Sequence, residues 1–406
     1  MTSLRNTTKN VRQAHSESCF VMFFREVFVV FCTIPQALLV LTVERMKLRL
    51  FLQNPYARPR RTDHVRAALL LWFCTGAFTF ALFTSSTIQA QPIVSAIALP
   101  QGATKEELDT LPHRPISEML KPYKYPVKKV RVKGKTEIAY IDVGDPKNKE
   151  VLLFIHGLNG YIPIWDKTIE DLSKDYRCIA VDLPGYGRSE KGELPINVIF
   201  YADLLVRFLD GLRVRDAYIV AHSMGGQVAV NLGLRYANRF KKLMLISSTG
   251  IEPFSQAERQ AFFDNVNESV TKDKSDDVLR ADFARLFYKM PPEAEFMLRD
   301  RLAMSRASDY GYYCHTVARS IIGMVELPTW DMLEGLSQPT LLIYGKNDKL
   351  IPNQFFHVMQ KPQDIAEQGR AKIRKCIVQM IDRCGHLAQW DNPDAVNQTI
   401  RDFLDR

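Results

Sequence analysis

One hydroxyl, that of Ser223, interrupts the run "YIVAHSMGGQVAV" at residues 218–230. Before it, Ala217 to Ala221 form a short apolar stretch with β-forming residues, the pattern of a parallel strand buried on both faces. After it, Val228, Leu232 and Leu234 recur at helical intervals, while Ala229 and Gly233 permit close packing. The serine therefore stands at a strand-to-helix turn. Such a turn holds a side chain strained and exposed only where its neighbours are small. Ala221 and Gly225 flank Ser223 at minus two and plus two, a variant of G-x-S-x-G with alanine in the first small position. The chemistry on offer is nucleophilic attack. A serine at a helix start is also an ordinary N-cap, so the rest of the chain must supply partners for it.

A nucleophilic serine needs a base, and the base an orienting acid. Both must come from loops at the carboxyl ends of strands, where the turn presents Ser223. After "LLIYG" comes "KNDKLIP", which places Asp348 in such a loop, and after "IVQMI" comes "DRCGHLAQWDNP", which places His386 just beyond the last strand. The chain order is Ser, Asp, His. Asp382 is nearer His386 in sequence but closer to the strand, and stands as the second choice of orienting acid. His222 abuts Ser223, so its ring is expected to point away from that hydroxyl and to pack or hydrogen-bond. His156, before Gly157 at another strand end, suits bracing a loop, and Glu252 in "TGIE" is a poorly placed acid. Attack on a carbonyl also requires preplaced donors for the oxyanion. Met224 supplies an N–H directly after the serine, and Gly157 lets "FIHGLNG" turn so that the N–H of Leu158 can be the second.

The elements that must position these residues follow from periodicity. Residues 127–142 alternate like a hairpin, and "VLLFIHG" (151–157), "CIAVDLPG" (178–185), "KLMLISS" (242–248), "PTLLIYG" (339–345) and "KCIVQMI" (375–381) read as strands. Helical segments lie between them, notably 161–173 and 197–212. An antiparallel entry followed by alternating strands and helices predicts an α/β fold: a mainly parallel sheet with helices on both faces. No core strand is evident between Gly250 and Gln338. That gap carries three expected helices, "AERQAFFDNVNESV", "DDVLRADFARLFYKM" and "EAEFMLRDRLAMS", and its place after a strand end makes it a cap over the serine.

The first hundred residues differ in character. Between Arg66 and Lys105 there is no charged residue, and the opening "AALLLWFCTGAFTFALF" at 67–83 is long enough for an export-signal core or a short membrane span. Arg58, Arg60, Arg61 and Arg66 precede it, and cleavage is expected after Ala90 or Ala98 if it is an export signal. A second apolar stretch, 27–43, raises the reading of two spans with a cytoplasmic basic loop between them. Synthesis from Met46 instead of Met1 would leave one export signal with a basic lead. Either way the domain beyond residue 100 is expected outside the cytoplasm, exported or membrane-anchored. The expected division is 1–98 targeting or membrane region, 99–124 linker, 125–249 and 338–406 core, and 250–337 cap.

The formal charge of +9 over 406 residues is modest, and its excess lies near the amino terminus, so it reads as a topology signal and not as a nucleic-acid surface. Cys178, Cys314, Cys376 and Cys384 lack C-x-x-C spacing, so no metal site is expected and they read as packing residues. Pairing of Cys376 with Cys384 is left open. No cofactor is expected, and the oligomeric state is not legible.

From about residue 125 the chain resembles the α/β-hydrolase fold family, whose motifs occur in order as "HGLNG", "DLPGYGRS", "AHSMGG", "YGKNDKLIP" and "CGHLAQWDNP". The resemblance implies Ser223 as nucleophile, His386 as base and acid, Asp348 as orienter, and Leu158 and Met224 as amide donors. Serine at 223, where the related epoxide hydrolases and dehalogenases carry aspartate, argues against those activities. Asp182 and Arg188 are expected to shape a loop near the site without taking part in the chemistry. The cap, with Phe262, Phe263, Phe283, Phe287 and Met297, resembles that of esterases and monoacylglycerol-lipase-like enzymes, which implies a small-molecule ester, lipid esters included, with an apolar acyl chain. Carbon–carbon bond hydrolases and proline iminopeptidases share the plan and are the alternatives. A non-catalytic binding protein on the same fold is the reading from another class.

Overall fold

The computed structural model describes residues 104–132 and 136–406, all within the unit Val94–Arg406. The stretches 27–43 and 67–83, the cleavage positions and the start at Met46 lie outside the described residues. Eight strands form one sheet in the order β1-β2-β4-β3-β5-β6-β7-β8. β1 (Lys128–Val132) and β2 (Thr136–Val143) are an antiparallel hairpin, with Lys128 opposite Tyr140 and Val132 opposite Thr136. β2 also runs antiparallel to β4 (Arg177–Val181). Every later pairing is parallel, through β3 (Val151–Ile155), β5 (Ala217–His222), β6 (Phe240–Ile246), β7 (Thr340–Gly345) and β8 (Cys376–Ile381).

The physical reason for the uninterrupted apolar runs is visible in their burial. β3 and β7 are buried along their whole length because helices cover both faces of the sheet, and β8, an edge, is only partly covered. The strand order also locates a crevice. β3 lies between β4 and β5, so the chain leaving β3 turns one way and the chain leaving β5 the other, and a cleft opens between their carboxyl ends. Leu158 follows β3 and Ser223 follows β5, one on each side of that cleft.

Beyond β6 the chain leaves the sheet and returns only at β7. The excursion carries helices Gln256–Asn265, Ser269–Lys272, Asp276–Ala284, Glu295–Met304 and Tyr310–Glu326. The single helix expected over 257–270 is broken at Val266, and the longest cap helix, Tyr310–Glu326, was not anticipated. Its sequence, "YGYYCHTVARSIIGMVE", holds two glycines and several β-branched residues, which lower intrinsic helix propensity. Burial of Tyr313, Cys314, Val317 and Val325 holds it instead, and Gly323 lets it pass so close to Asn197 that a methyl group there would meet the Asn197 Cβ at 2.8 Å.

The stretch expected as a linker is, from residue 104, part of the packed fold. Short helices Lys105–Asp109 and Ile116–Met119 bury Leu108 and Ile116, and Leu120 follows them into the core. Cys178, Cys314, Cys376 and Cys384 are free thiols.

Candidate active site

Ser223 adopts φ 52° and ψ −121°, in the left-handed region that a residue with a side chain rarely enters, at a cost of roughly 1–3 kcal/mol. Its neighbours explain how the turn is held. A methyl group on Gly225 would strike the carbonyl oxygens of Ile155 and His156 at 2.4 and 2.6 Å, and one on Gly226 would overlap Ser248 Oγ at 2.0 Å. The Ser223 N–H donates to the Ile246 carbonyl at 2.9 Å, which ties the turn to β6. Ala221, at the first small position of the motif, is fully buried in β5.

His386 and Asp348 meet. The Nδ1–H of His386 donates to Asp348 Oδ2 at 2.8 Å, with both side chains nearly inaccessible to solvent. The other carboxylate oxygen accepts from the N–H groups of Leu350 and Ile351 at 2.8 and 3.1 Å, so Asp348 cannot swing away from the ring. The two loops that carry them touch: the Asn347 N–H donates to the Cys384 carbonyl, and a side chain on Gly345 would meet that carbonyl oxygen at 2.3 Å. Asp382 lies outside this arrangement, three-quarters exposed and paired with Lys346 at 2.6 Å. Glu252 is also elsewhere, buried against His357 and the Asn353 N–H.

The other histidines serve the frame. His156 donates from Nδ1 to the Gly157 carbonyl at 2.8 Å and accepts the Leu183 N–H on Nε2 at 2.9 Å, which sets its tautomer, because the carbonyl can only accept. Burial lowers its pKa from 6.5 to about 4, so it braces the loop as a neutral ring. His222 donates from Nε2 to the main-chain carbonyl of His386 at 3.0 Å, and burial, followed by the charge of His386, holds its pKa well below the ordinary value. The residue before the serine thus fixes the backbone of His386.

Asp182 is fully buried and accepts from Ile162 N–H, Arg188 N–H and Tyr123 O–H, each at 2.7 Å. Arg188 reaches the Leu120 carbonyl at 2.9 Å and lies 4.9 Å from the Tyr123 ring. This pair fastens residues 117–123 to the loop after β4. Burial raises the Asp182 pKa against the opposing effect of those donors.

Ser223, His222 and His386 line one cavity of about 330 Å³ with Leu158. Leu158 leads into a tight turn in which Asn159 has φ 59° and the Gly160 N–H returns to the Gly157 carbonyl at 3.0 Å. Met224 opens the helix Met224–Arg235, so its N–H has no acceptor within that helix. The cap supplies the apolar roof, including Leu279, Phe283, Leu286, Met297 and Met304, together with the guanidinium of Arg301, which donates to the Asn159 carbonyl and to Tyr313 Oη. Of the cap side chains expected as contacts, Phe283 and Met297 line the cavity, whereas Phe287 is fully buried, Phe262 packs on Phe356 and Phe263 is 40% exposed.

Asp391 carried no role in the sequence reading, although it lies in "CGHLAQWDNP". Its carboxylate accepts from the Gly385 N–H at 2.7 Å and the Tyr288 N–H at 2.9 Å, which knots the His386 loop to the cap. Among the described residues no group of three or more His, Cys, Asp or Glu side chains is placed to hold a metal ion.

Residues 150–393 match the α/β-hydrolase fold family. The chain belongs to that family. It is 24% identical over 301 residues to YugF, an uncharacterized hydrolase of Bacillus subtilis, covering 69% of this chain and 98% of that protein. It is 25% identical over 280 residues to 2-hydroxy-6-oxononadienedioate/2-hydroxy-6-oxononatrienedioate hydrolase 1 of Pseudomonas putida, covering 66% of this chain and 91% of that one. Among solved structures, a thermophilic esterase from Thermogutta terrifontis superposes with a TM-score of 0.54 at 24% identity, over 69% of this chain and 98% of the esterase. The protein is a hydrolase fold member whose neighbours include both esterases and hydrolases named for 2-hydroxy-6-oxononadienedioate.

Proposed function

We propose that the protein is a serine hydrolase that cleaves carboxylic esters with apolar acyl chains through an acyl-enzyme. The observation that carries this reading is the Asp348–His386 hydrogen bond facing the same apolar cavity as a serine held at a left-handed turn. In this mechanism His386 Nε2 takes the proton of Ser223 Oγ as that oxygen attacks the ester carbonyl. Asp348 keeps the ring in the tautomer whose Nε2 is free to accept, and stabilises the imidazolium that results. The N–H groups of Leu158 and Met224 face the developing oxyanion. The imidazolium then protonates the leaving alkoxide, and water activated by the same ring releases the acid.

The test is hydrolysis of a p-nitrophenyl ester series from acetate to palmitate by the intact chain and by Ser223→Ala. Serine-dependent turnover with an optimum above acetate is expected. Ester turnover that survives loss of the hydroxyl would remove the nucleophile assignment, and binding without any turnover would favour a non-catalytic role. Arg301 in the cavity roof supports a second reading, hydrolysis of a carbon–carbon bond in a substrate that bears a carboxylate, such as the class named for the Pseudomonas putida relative. Release of a dienoic acid from such a ketone, with no ester turnover, would select it. Export or anchoring through the apolar stretches at 27–43 and 67–83 belongs to the same proposal. Protease accessibility of the domain in intact cells, with amino-terminal sequencing of the mature chain, tests it.

A further inference from the structure

Immediately after Leu350 and Ile351, which line the cavity, the chain runs through residues 353–360 to the helix Pro362–Lys372. The underside of this segment is fastened at several points. The Asn353 N–H donates to Glu252 Oε1 at 2.7 Å, and Asn353 Oδ1 accepts from the N–H groups of Phe355 and Phe356 at 3.0 and 3.1 Å. The His357 ring sits between Glu252 and Glu258 and stacks on Phe254, with centroids 5.2 Å apart. Phe356 packs against Phe262 of the first cap helix at 5.4 Å.

Held from below, the segment presents its remaining apolar side chains outward. Phe355, Val358 and Met359 are 69%, 63% and 89% exposed, and Phe263 on the adjoining cap helix is 40% exposed. Phe355 also sets its ring edge-on against Phe356 at 4.9 Å. Phe355, Val358 and Met359 are the three most exposed large apolar side chains of the described residues, and they fall within five residues of one another in the chain. Exposed cations flank them: Arg285, which donates to the Lys349 carbonyl at 3.4 Å, and Lys349 on the cavity side, with Lys361 at the far end. The exposed apolar area is on the order of a few hundred Å². An ordinary dimer interface takes about 800 Å² from each partner, a little over half of it apolar, so area alone does not separate a second copy from a lipid surface, and the flanking cations favour the anionic one. A bilayer surface asks for what is here: a few protruding apolar side chains flanked by Arg285, Lys349 and Lys361, with Asp364, which accepts from the Lys361 N–H, as the acid at the far end.

We propose that residues 353–361 form a docking prominence that seats the cavity mouth on a lipid surface with anionic headgroups. Phe355, Val358 and Met359 enter the acyl region, and Arg285, Lys349 and Lys361 meet the headgroups. This contact does not depend on the reaction at Ser223.

The experiment uses the intact chain carrying Ser223→Ala, so that no lipid is consumed, with and without Met359→Trp as a reporter. Vesicles of phosphatidylcholine, with or without phosphatidylglycerol, contain brominated acyl chains that quench only tryptophans reaching the bilayer interior. The expected result is loss of at least half of the fluorescence contributed by residue 359, stronger with the anionic lipid and weakened several-fold by Lys361→Glu. Fluorescence at 359 indifferent to brominated lipid would overturn the proposal, because binding through other segments cannot produce that signal. Shielding of residue 359 in a dimer without lipid, seen by sedimentation, would overturn it in favour of a second copy. Triple replacement of Phe355, Val358 and Met359 by serine is expected to leave turnover of a water-soluble ester unchanged and to lower turnover of a vesicle-borne long-chain ester at least tenfold. If no ester is cleaved at all, the ester reading fails while the quenching result still decides the docking.

Discussion

At the carboxyl edge of the sheet, the loops after β3, β5 and β7 pack so closely that a methyl group on Gly157, Gly225 or Gly345 would come within 3 Å of a neighbouring atom. Across the cavity, the cap presents ordinary helices with solvent-facing sides; the helix Gln256–Asn265 buries no residue fully. The two regions line one space under different physical constraints. The edge of the sheet holds atoms at hydrogen-bond distance from one another, and small displacements there change whether a proton can move. The cap supplies shape and apolar surface, where replacing one side chain changes a volume. The lesson is a division of labour: reactivity should respond steeply to changes in the first region, and selectivity gradually to changes in the second.

The largest effect is expected at Ser223. Under the proposed mechanism Ser223→Ala lowers kcat for any accepted ester by about 10⁴-fold or more, while thermal unfolding shows an intact fold. An unaltered rate would place the chemistry elsewhere. The carboxylates sharpen the contrast within the sheet edge itself. Asp348→Asn is expected to reduce kcat by roughly 10²–10⁴-fold through loss of the correct tautomer, and Asp382→Asn, at the surface with Lys346, by less than about twofold on the scale of ordinary surface substitutions. Equal effects of the two would overturn the assignment of the orienting acid.

Protonation probes the rigid region next. Because burial holds His156 at about 4 against 6.5 for the free side chain, the unfolded chain binds more protons than the folded one between those values. The resulting stability is complete above pH 6.5 and is lost as pH falls towards 4, by up to about 3 kcal/mol. Asp166 works in the opposite sense: burial raises its pKa to about 7 from 3.8, so stability is lost as pH rises through that window. Asp166→Asn is therefore expected to stabilise the fold more at pH 8 than at pH 5, by on the order of 2–4 kcal/mol. Denaturant midpoints across pH 4–8 check both signs. The smallest effect belongs to the cap. Met297→Ala, at the cavity roof, should move the preferred acyl length upward and change relative kcat/KM values by about tenfold or less, with the acetyl ester nearly unaffected. A large loss on every ester would mean that the cap also positions the reacting groups.

How far the site could be read in advance depended on the kind of signal each part leaves. Strands buried on both faces must be largely apolar, so β3, β5, β6 and β7 stand out in the sequence as short runs, and the small residues around Ser223 mark a tight turn. The helix Tyr310–Glu326 left no such mark, because its stability comes from burial against the core and its local composition argues for something less regular. Its place in a loop beyond a strand end put Asp348 ahead of Asp382, while the hydrogen bond from His386 to Asp348 comes from the meeting of loops 38 residues apart. The bond from His222 to the His386 carbonyl and the one from the Tyr288 N–H to Asp391 leave no mark in the sequence for the same reason: each joins groups more than a hundred residues apart.

By itself, the sequence determined the α/β class, the succession of buried strands and the identity of a serine set at a strand-to-helix turn, since periodicity and side-chain size are local properties. It also placed an aspartate and a histidine beyond two strand ends. The tertiary structure decided which carboxylate meets the ring, which cap residues roof the cavity, that residues 104–124 are packed into the fold, and that Phe355, Val358 and Met359 face outward beside the cavity. Those outcomes depend on contacts between segments separated by up to hundreds of residues, and such contacts exist only once the chain has closed on itself.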